Sequence, residues 1–305
     1  MTLLPPGGIA AEIAPAKVNL TLRVGGKRPD GYHNIESLVA FAHECDVLRL
    51  TLGGGDTLSV DGLFVEQSGP AEDNLVIRAA RALMRDVPNL KSGHFELTKN
   101  LPAAAGLGGG SSDAAAALRL LARLNALPPD DARLYSVAVA TGADVPVCLD
   151  PRPRFMRGIG EVLSEPLALP ALDAVLVNPG ISTATKDVFA AFDAIDRNKA
   201  VELASASFPE SADASALIAW IGGQANDLEP AAISLHPAIG DVLKALRATP
   251  GCGLARMSGS GATCFGLFTD GPAAAAAARS LQRHDPAWWV RATILGENFD
   301  GNSVA

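Results

Sequence analysis

The chain has 305 residues, 48% of them hydrophobic and 19% charged, enough to bury a large core and to fill two domains. Its formal net charge of −8 argues against a nucleic acid or an anionic membrane as partner, although a nucleotide needs only a local positive site. Four cysteines (Cys45, Cys148, Cys252, Cys264) lack CxxC or metal-ligand spacing and are expected to be reduced and buried, as in a cytoplasmic protein.

The opening stretch, MTLLPPGGIAAEIAP, has no basic leader and reads as a frayed tail rather than a signal peptide. No uncharged run is long enough to span a membrane. Residues 13–22 lead into the alternation VNLTLRV, which predicts a strand. Lys17 and Asn19 share one face of it. That face looks either at solvent or into a cleft, where a cation and an amide suit a polar ligand. Residues 25–31 predict a turn with Lys27 and Arg28 at its centre. Tyr32, His33 and Asn34 follow, a set suited to a planar base and equally to plain turn structure. Strands are predicted at 35–42, 46–52 and 58–65, with a glycine turn at 53–56. Apolar residues at helical spacing predict a helix over 75–84, capped by Asp73 or Asn74. Residues 94–99 alternate as a strand and end in Lys99.

The most unusual stretch of the chain is KNLPAAAGLGGGSSDAAAAL at 99–118. Glycine is costly to order, so Gly106, Gly108, Gly109 and Gly110, packed into five positions ahead of an alanine-rich helix, imply that the backbone itself is used. The physical reading is a loop whose N–H groups wrap an anion, with the positive end of a helix over 113–126 behind it. Ser111 and Ser112 either cap that helix or touch an oxygen of a ligand or metal. The Walker A lysine before Ser/Thr is missing. A second helix is predicted over 130–141, closed by Gly142. Asp144 is then a lone carboxylate in an apolar stretch, which needs a reason: a metal ligand, a general base, a partner for Lys17, or a simple turn.

Residues 152–161 predict a basic hairpin, and 166–170 the crossover between two domains, 1–166 and 167–305. In the second half, strands are predicted at 172–178, 253–258, 263–268 and 288–294, the last at a sheet edge. Helices are predicted at 185–192, 238–248 and 272–282. Residues 204–214 read as a surface loop and 216–220 as a short apolar segment. Gly259-Ser260-Gly261 is a second tight turn. Antiparallel strands with helices on one face make the fold class α+β.

The stretch Pro102 to Asp113 resembles the phosphate loop of the small-molecule kinase superfamily that includes galactokinase, homoserine kinase, mevalonate kinase and phosphomevalonate kinase. Pro15-Ala16-Lys17-Val18-Asn19-Leu20, Gly142-Ala143-Asp144-Val145-Pro146 and Ser258-Gly259-Ser260-Gly261 fall in the matching order. Arg28-Pro29-Asp30-Gly31-Tyr32-His33 and Asn226-Asp227-Leu228-Glu229 narrow the resemblance to the branch whose substrate is a methylerythritol bearing a cytidine diphosphate. The resemblance implies a two-domain fold, the first domain like domain 2 of ribosomal protein S5 and the second ferredoxin-like. It implies transfer of the ATP γ-phosphate to a hydroxyl, with Asp144 as general base and Lys17 as its electrostatic partner. Asn74, Lys99, Pro102, Gly106, Leu107, Gly108, Gly109, Gly110, Ser111 and Ser112 would bind ATP. Asn19, Tyr32, His33, Asp144, Thr183 and Phe189 would bind the second substrate, with Tyr32 and His33 reading the cytosine and Phe189 stacking on it. Mg2+ is expected with the ATP, with no protein ligand assigned. The expected partners are a small molecule and ATP alone, without nucleic acid or membrane, in a cytoplasmic monomer or weak homodimer. Two rivals remain at this point: another kinase of the superfamily, of homoserine or mevalonate type, and a non-catalytic nucleotide binder.

Overall fold

The structure, a computed structural model, describes residues 9–195, 208–209 and 212–296. Most of the segment read as a surface loop at 204–214 lies outside them. The first domain is built on a long bent strand. β1 (Ile9–Asn19) pairs with β3 (His33–Asp61) from Ile9↔Thr51 to Asn19↔Val39, and β2 (Arg23–Lys27) pairs with the start of β3. β3 doubles back at the glycines of 53–56, so that β4 (Gly93–Thr98) lies between its arms. β4 runs against 47–53 and alongside 57–61. β5 (Arg154–Gly158) and β6 (Val162–Leu163) form the expected hairpin and extend the sheet from β3.

The expected tail is in part strand: β1 begins at Ile9, because Ala10 and Ala14 find a buried seat against the central β3 despite the Pro-Pro-Gly-Gly before them. One face of this sheet carries α1 (Leu75–Asp86), α2 (Gly109–Leu124), α3 (Ala132–Thr141) and the short α4 (Val145–Leu149). Asn74 caps α1, its Oδ1 accepting from the Val76 N–H at 3.0 Å. Ala114 to Ala117 are completely buried, and their small side chains let α2 lie close against β1 and α1. Phe41, Leu48, Leu50, Phe95 and Leu97 from the strands meet Ile77, Leu83, Leu118 and Leu121 from the helices in this core, each worth about 2 kcal/mol of burial.

The second domain runs β7 (Leu172–Asn178), α5 (Thr185–Ile195), α6 (Ala214–Gly222), α7 (Glu229–Leu235), α8 (Ala238–Arg247), β8 (Cys252–Met257), β9 (Cys264–Phe268), α9 (Gly271–His284) and β10 (Trp289–Leu295). Its strands are antiparallel in the order β10-β7-β9-β8, the ferredoxin-like arrangement. The last strand is not at an edge. β10 pairs along its length with β7 and touches β3 through Leu295↔Ala42, so it joins the two sheets. The short apolar segment is the helix α6, started by Asp213, whose Oδ1 accepts from the Ala216 N–H at 2.8 Å.

Helices α5, α7, α8 and α9 cover one face of this sheet with Val188, Leu243, Leu246 and Leu281. The other face is covered by the first domain. Leu20, Leu38, Leu101 and Leu107 pack with Leu176, Phe265, Leu267 and the α6 residues Leu217 and Ile221 in one buried cluster. All four cysteines are free; Cys148 and Cys264 are buried, while Cys45 and Cys252 are only half-buried. Among the described residues, no helix is long and apolar enough to cross a membrane.

Candidate active site

The glycine loop takes its shape from what its carbonyls do. Four successive carbonyls are each taken by a different partner. Ala104 O accepts from the Thr183 N–H at 2.9 Å, Ala105 O from the Thr263 N–H at 3.0 Å and Leu107 O from the Lys17 N–H at 2.8 Å. Gly106 O accepts from Ser258 Oγ at 2.8 Å. With the carbonyls committed outward to β1 and the second domain, the N–H side of the loop and of the next turn is left for the cleft. Glycine is required at 106: φ is +78°, and a Cβ there would lie 2.2 Å from Ser258 O. At Gly108, where φ is +62°, a Cβ would lie 3.1 Å from Lys17 Cε and 3.8 Å from Asp144 Oδ2.

The helix behind the loop starts four residues earlier than expected, at Gly109, with Gly108 in the N-cap position and no side chain capping it. Ser111 and Ser112 therefore sit inside its first turn and are not caps. Ser111 is half-buried, whereas Ser112 is fully buried and donates through Oγ to Pro15 O at 2.8 Å, tying the helix to β1. Uncapped N–H groups at the start of a sixteen-residue helix are a ready anion site.

Lys17 and Asp144 meet beside Gly108. The register slips between Pro15 and Lys17, and the Lys17 side chain reaches Asp144 Oδ2 at 3.1 Å. The two ends of this pair differ in access: the Lys17 side chain is 4% exposed and that of Asp144 36%. Asp144 occupies the N-cap position of α4 without capping it, so its carboxylate is left partly exposed beside Lys17. Asn19 has both ends engaged. Its Oδ1 accepts from Lys17 Nζ at 2.7 Å, and its Nδ2 donates to Ser37 Oγ at 2.7 Å, which in turn donates to Thr21 O at 2.5 Å. The residue expected to place substrate hydroxyls is thus also the one that holds the lysine. Ser37 escaped the sequence reading; its signal is a lone hydroxyl in the buried run SLVAFA.

Lys99 is buried beneath the loop, where a Cβ on Gly109 would lie 3.4 Å from its Nζ. Its ammonium is gripped by the carboxylates of Asp46 and, at 2.7 Å, Asp113. Asp46 also accepts from the N–H groups of Asn100 at 2.6 Å and Leu101 at 2.9 Å, fixing the entrance to the loop. Burial pushes Asp113 up to about 8, opposed by the charge of Lys99 and helped by that of Asp46. Lys99 is itself raised: burial lowers it, but the two carboxylates outweigh that. Pro102 is buried next to this floor, and Leu75, the first residue of α1 after its cap Asn74, approaches Gly110.

Where the start of β3 meets α5, Tyr32 is 61% exposed and the His33 side chain is enclosed. The His33 ring stacks on Phe189 of α5 with centroids 5.5 Å apart and planes 20° from parallel, and Phe192 meets it edge-on. Its Nδ1 lies 3.0 Å from Gly25 O and its Nε2 2.9 Å from Asp193 Oδ1. Asp193 also pairs with Lys27 at 2.5 Å, and Lys27 followed by His33 holds its carboxyl below the usual range. The ring against Phe189 is thus His33 itself, and 5.5 Å leaves no room for a base between the two. Thr183 is buried with a hydroxyl that has no hydrogen-bond partner among the described residues. Among the described residues, no three His, Cys, Asp or Glu side chains come together to hold a metal ion.

Residues 74–150 match the description "GHMP kinases N terminal domain" and residues 201–287 match "GHMP kinases C terminal". A Methylobacterium radiotolerans protein named 4-diphosphocytidyl-2-C-methyl-D-erythritol kinase is 54% identical over 299 residues, covering 97% of this chain and 100% of its own length. A protein of the same name from Rhodopseudomonas palustris is 53% identical over 289 residues, covering 92% of this chain and 96% of its own. A crystal structure of 4-(cytidine 5'-diphospho)-2C-methyl-D-erythritol kinase superposes with a TM-score of 0.73 at 33% identity, over 95% of this chain and 100% of that one. The homoserine kinase of Cytophaga hutchinsonii, at 21% identity and a TM-score of 0.68 over 97% of this chain and 98% of its own, shares the fold. With relatives this similar over nearly the whole length of both chains, the chain belongs to the GHMP kinases and, within them, to the 4-diphosphocytidyl-2-C-methyl-D-erythritol kinase family.

Proposed function

We infer that this chain is an ATP-dependent kinase that phosphorylates the 2-hydroxyl of 4-diphosphocytidyl-2-C-methyl-D-erythritol, a step of non-mevalonate isoprenoid synthesis. The observation that carries the mechanism is the Lys17–Asp144 pair standing 3.1 Å apart against Gly108 of the glycine loop. A phosphoryl group held by the loop would face that pair. Asp144, the accessible member, takes the proton of the acceptor hydroxyl, and Lys17, buried and held by Asn19, stabilises the oxygen as it becomes negative. Little covalent chemistry is asked of the protein; positioning and charge neutralisation do most of it.

The loop from Pro102 through Gly110, with Ser111, cradles the β- and γ-phosphates, and the buried Lys99 cluster supports it from below. The start of α1 at Asn74 borders the nucleotide. Tyr32 and His33 read the cytosine, with Phe189 stacked behind the His33 ring, and Thr183 offers its hydroxyl to the substrate. Mg2+ would accompany the ATP and supply neutralisation of the charge on the phosphates, and no side chain of this chain is assigned as its ligand. We place the domain division at 166/167, between the β6 hairpin and β7.

A steady-state assay with ATP and the cytidyl substrate, run beside mevalonate and homoserine, tests this reading. Turnover confined to the cytidyl substrate is expected. Asp144→Asn should lower kcat by about a thousandfold while both ligands still bind; near-normal kcat would overturn the base assignment.

A further inference from the structure

Of the four bonds that hold the loop carbonyls outward, three come from backbone N–H groups and one from a side chain. Ser258, just past the end of β8, is completely buried. Its Oγ accepts from the Asn19 N–H at 3.0 Å and donates to Gly106 O at 2.8 Å. One hydroxyl therefore ties Asn19, two residues beyond Lys17 on its strand, to Gly106, alongside the direct bond from the Lys17 N–H to Leu107 O. The hydroxyl is itself held fast. Ser258 N–H donates to Thr263 O and its carbonyl accepts from the Gly261 N–H, both at 2.9 Å. Asn226 Nδ2 donates to Met257 O and Gly259 O on either side, each at 2.8 Å.

We propose that Ser258 is a positioning residue for phosphoryl transfer, its hydroxyl setting the spacing between the phosphate loop and the strand that presents Lys17 to Asp144. The inference rests on the kinase reading above. A hydroxyl suits the task because one atom both accepts and donates. Without it, the Asn19 N–H and Gly106 O either close up on each other or stay unpaired, and both outcomes change the separation of loop and strand. An in-line transfer is steeply sensitive to such a change, whereas binding of either ligand to its own half of the cleft is not.

The test uses the full chain with Ser258→Ala, Ser258→Cys and Ser258→Thr, measuring kcat, the KM of each substrate and the thermal midpoint. Cysteine keeps the volume and loses the strong hydrogen bonds; threonine keeps the hydroxyl. The Ala and Cys variants should lose about 30-fold in kcat with each KM within about threefold of the parent, and Thr should recover kcat to within about threefold. Retention of kcat within about twofold by Ala and Cys would overturn the proposal. So would losses that follow the thermal midpoint in all three variants, which mark plain packing. Asp144→Asn, assayed in parallel, separates the two layers. If it is inactive while Ser258→Ala is normal, only the Ser258 proposal falls; if it turns over normally, the base assignment beneath it falls.

Discussion

Replacing Asp113 by asparagine should flatten the decline of stability on the alkaline side of neutrality. Lys99 is the single cation between Asp46 and Asp113, all three are buried, and one ammonium cannot balance two carboxylates. Asp46 has two backbone N–H groups as well as the lysine, whereas Asp113 has the lysine, the neighbouring Asp46 carboxylate and, among the described residues, an Oδ1 without a partner. Asp113 is therefore the member that takes up a proton, and burial pushes it up to about 8. In the unfolded chain the same carboxyl titrates near 4, so between about pH 4 and 8 the folded state holds a proton that the unfolded state does not. The stabilisation is complete at the acid end of that window and is lost as pH rises through 8. Between about pH 6 and pH 8.5 the loss amounts to about 2.5 kcal/mol. The window stops there because the half-buried thiol of Cys45, pushed up to about 11, and the buried thiol of Cys148, pushed up to about 12, add their own losses once unfolded thiols ionise. Urea unfolding at the two pH values, for the parent and Asp113→Asn, is the assay. The parent should lose about 2.5 kcal/mol and the variant less than about 1 kcal/mol. Parallel declines would refute the assignment of the proton to Asp113.

Gly106→Ala should destabilise the chain by about 3 kcal/mol, since its Cβ would sit 2.2 Å from Ser258 O on a backbone at φ +78°. Thermal unfolding reads this, and a midpoint unchanged from the parent would contradict the tight apposition of the two glycine turns. His33→Ala should raise the KM of the cytidyl substrate about tenfold and leave that of ATP unchanged. Equal effects on both in steady-state kinetics would remove His33 from the base pocket.

What the sequence made legible and what it hid divide along contact range. The glycine loop, the cap at Asn74 and the stop at Gly142 are local signals, and each element lies close to where its own residues put it. The approach of Lys17 to Asp144, which are 127 positions apart, was legible only because four short motifs together resemble one family. Asp46 and Asp193 were missed for the converse reason. Each is an ordinary turn-side or helix-face acid until the fold brings Lys99 or His33 against it. The tail and the last strand were misread because composition spoke louder than pairing. Pro-Pro-Gly-Gly masked the alternation after Ile9, and a terminal position suggested an edge that β3 in fact covers. Of the two readings of Ser111 and Ser112, as caps or as contacts to a ligand or metal oxygen, the cap fails because Gly108 already has the backbone shape that starts the helix.

The buried cluster between the domains constrains how the cleft can work. Leu101 and Leu107 flank the glycine loop within the chain, and both are completely or almost completely covered by apolar side chains of the second domain and of the strands. Swinging the domains apart like a clam shell would wet Leu20, Leu38, Leu101 and Leu107 together with Phe265 and Leu267, at about 2 kcal/mol for each. The sum, roughly 12 kcal/mol, is comparable to the entire stability of a domain. The cleft is thus a seam in one solid body. Any opening that avoids that cost has to leave the seam closed and act at parts outside it, such as α5, whose Phe189 and Asp193 meet His33 and Lys27 of the first domain.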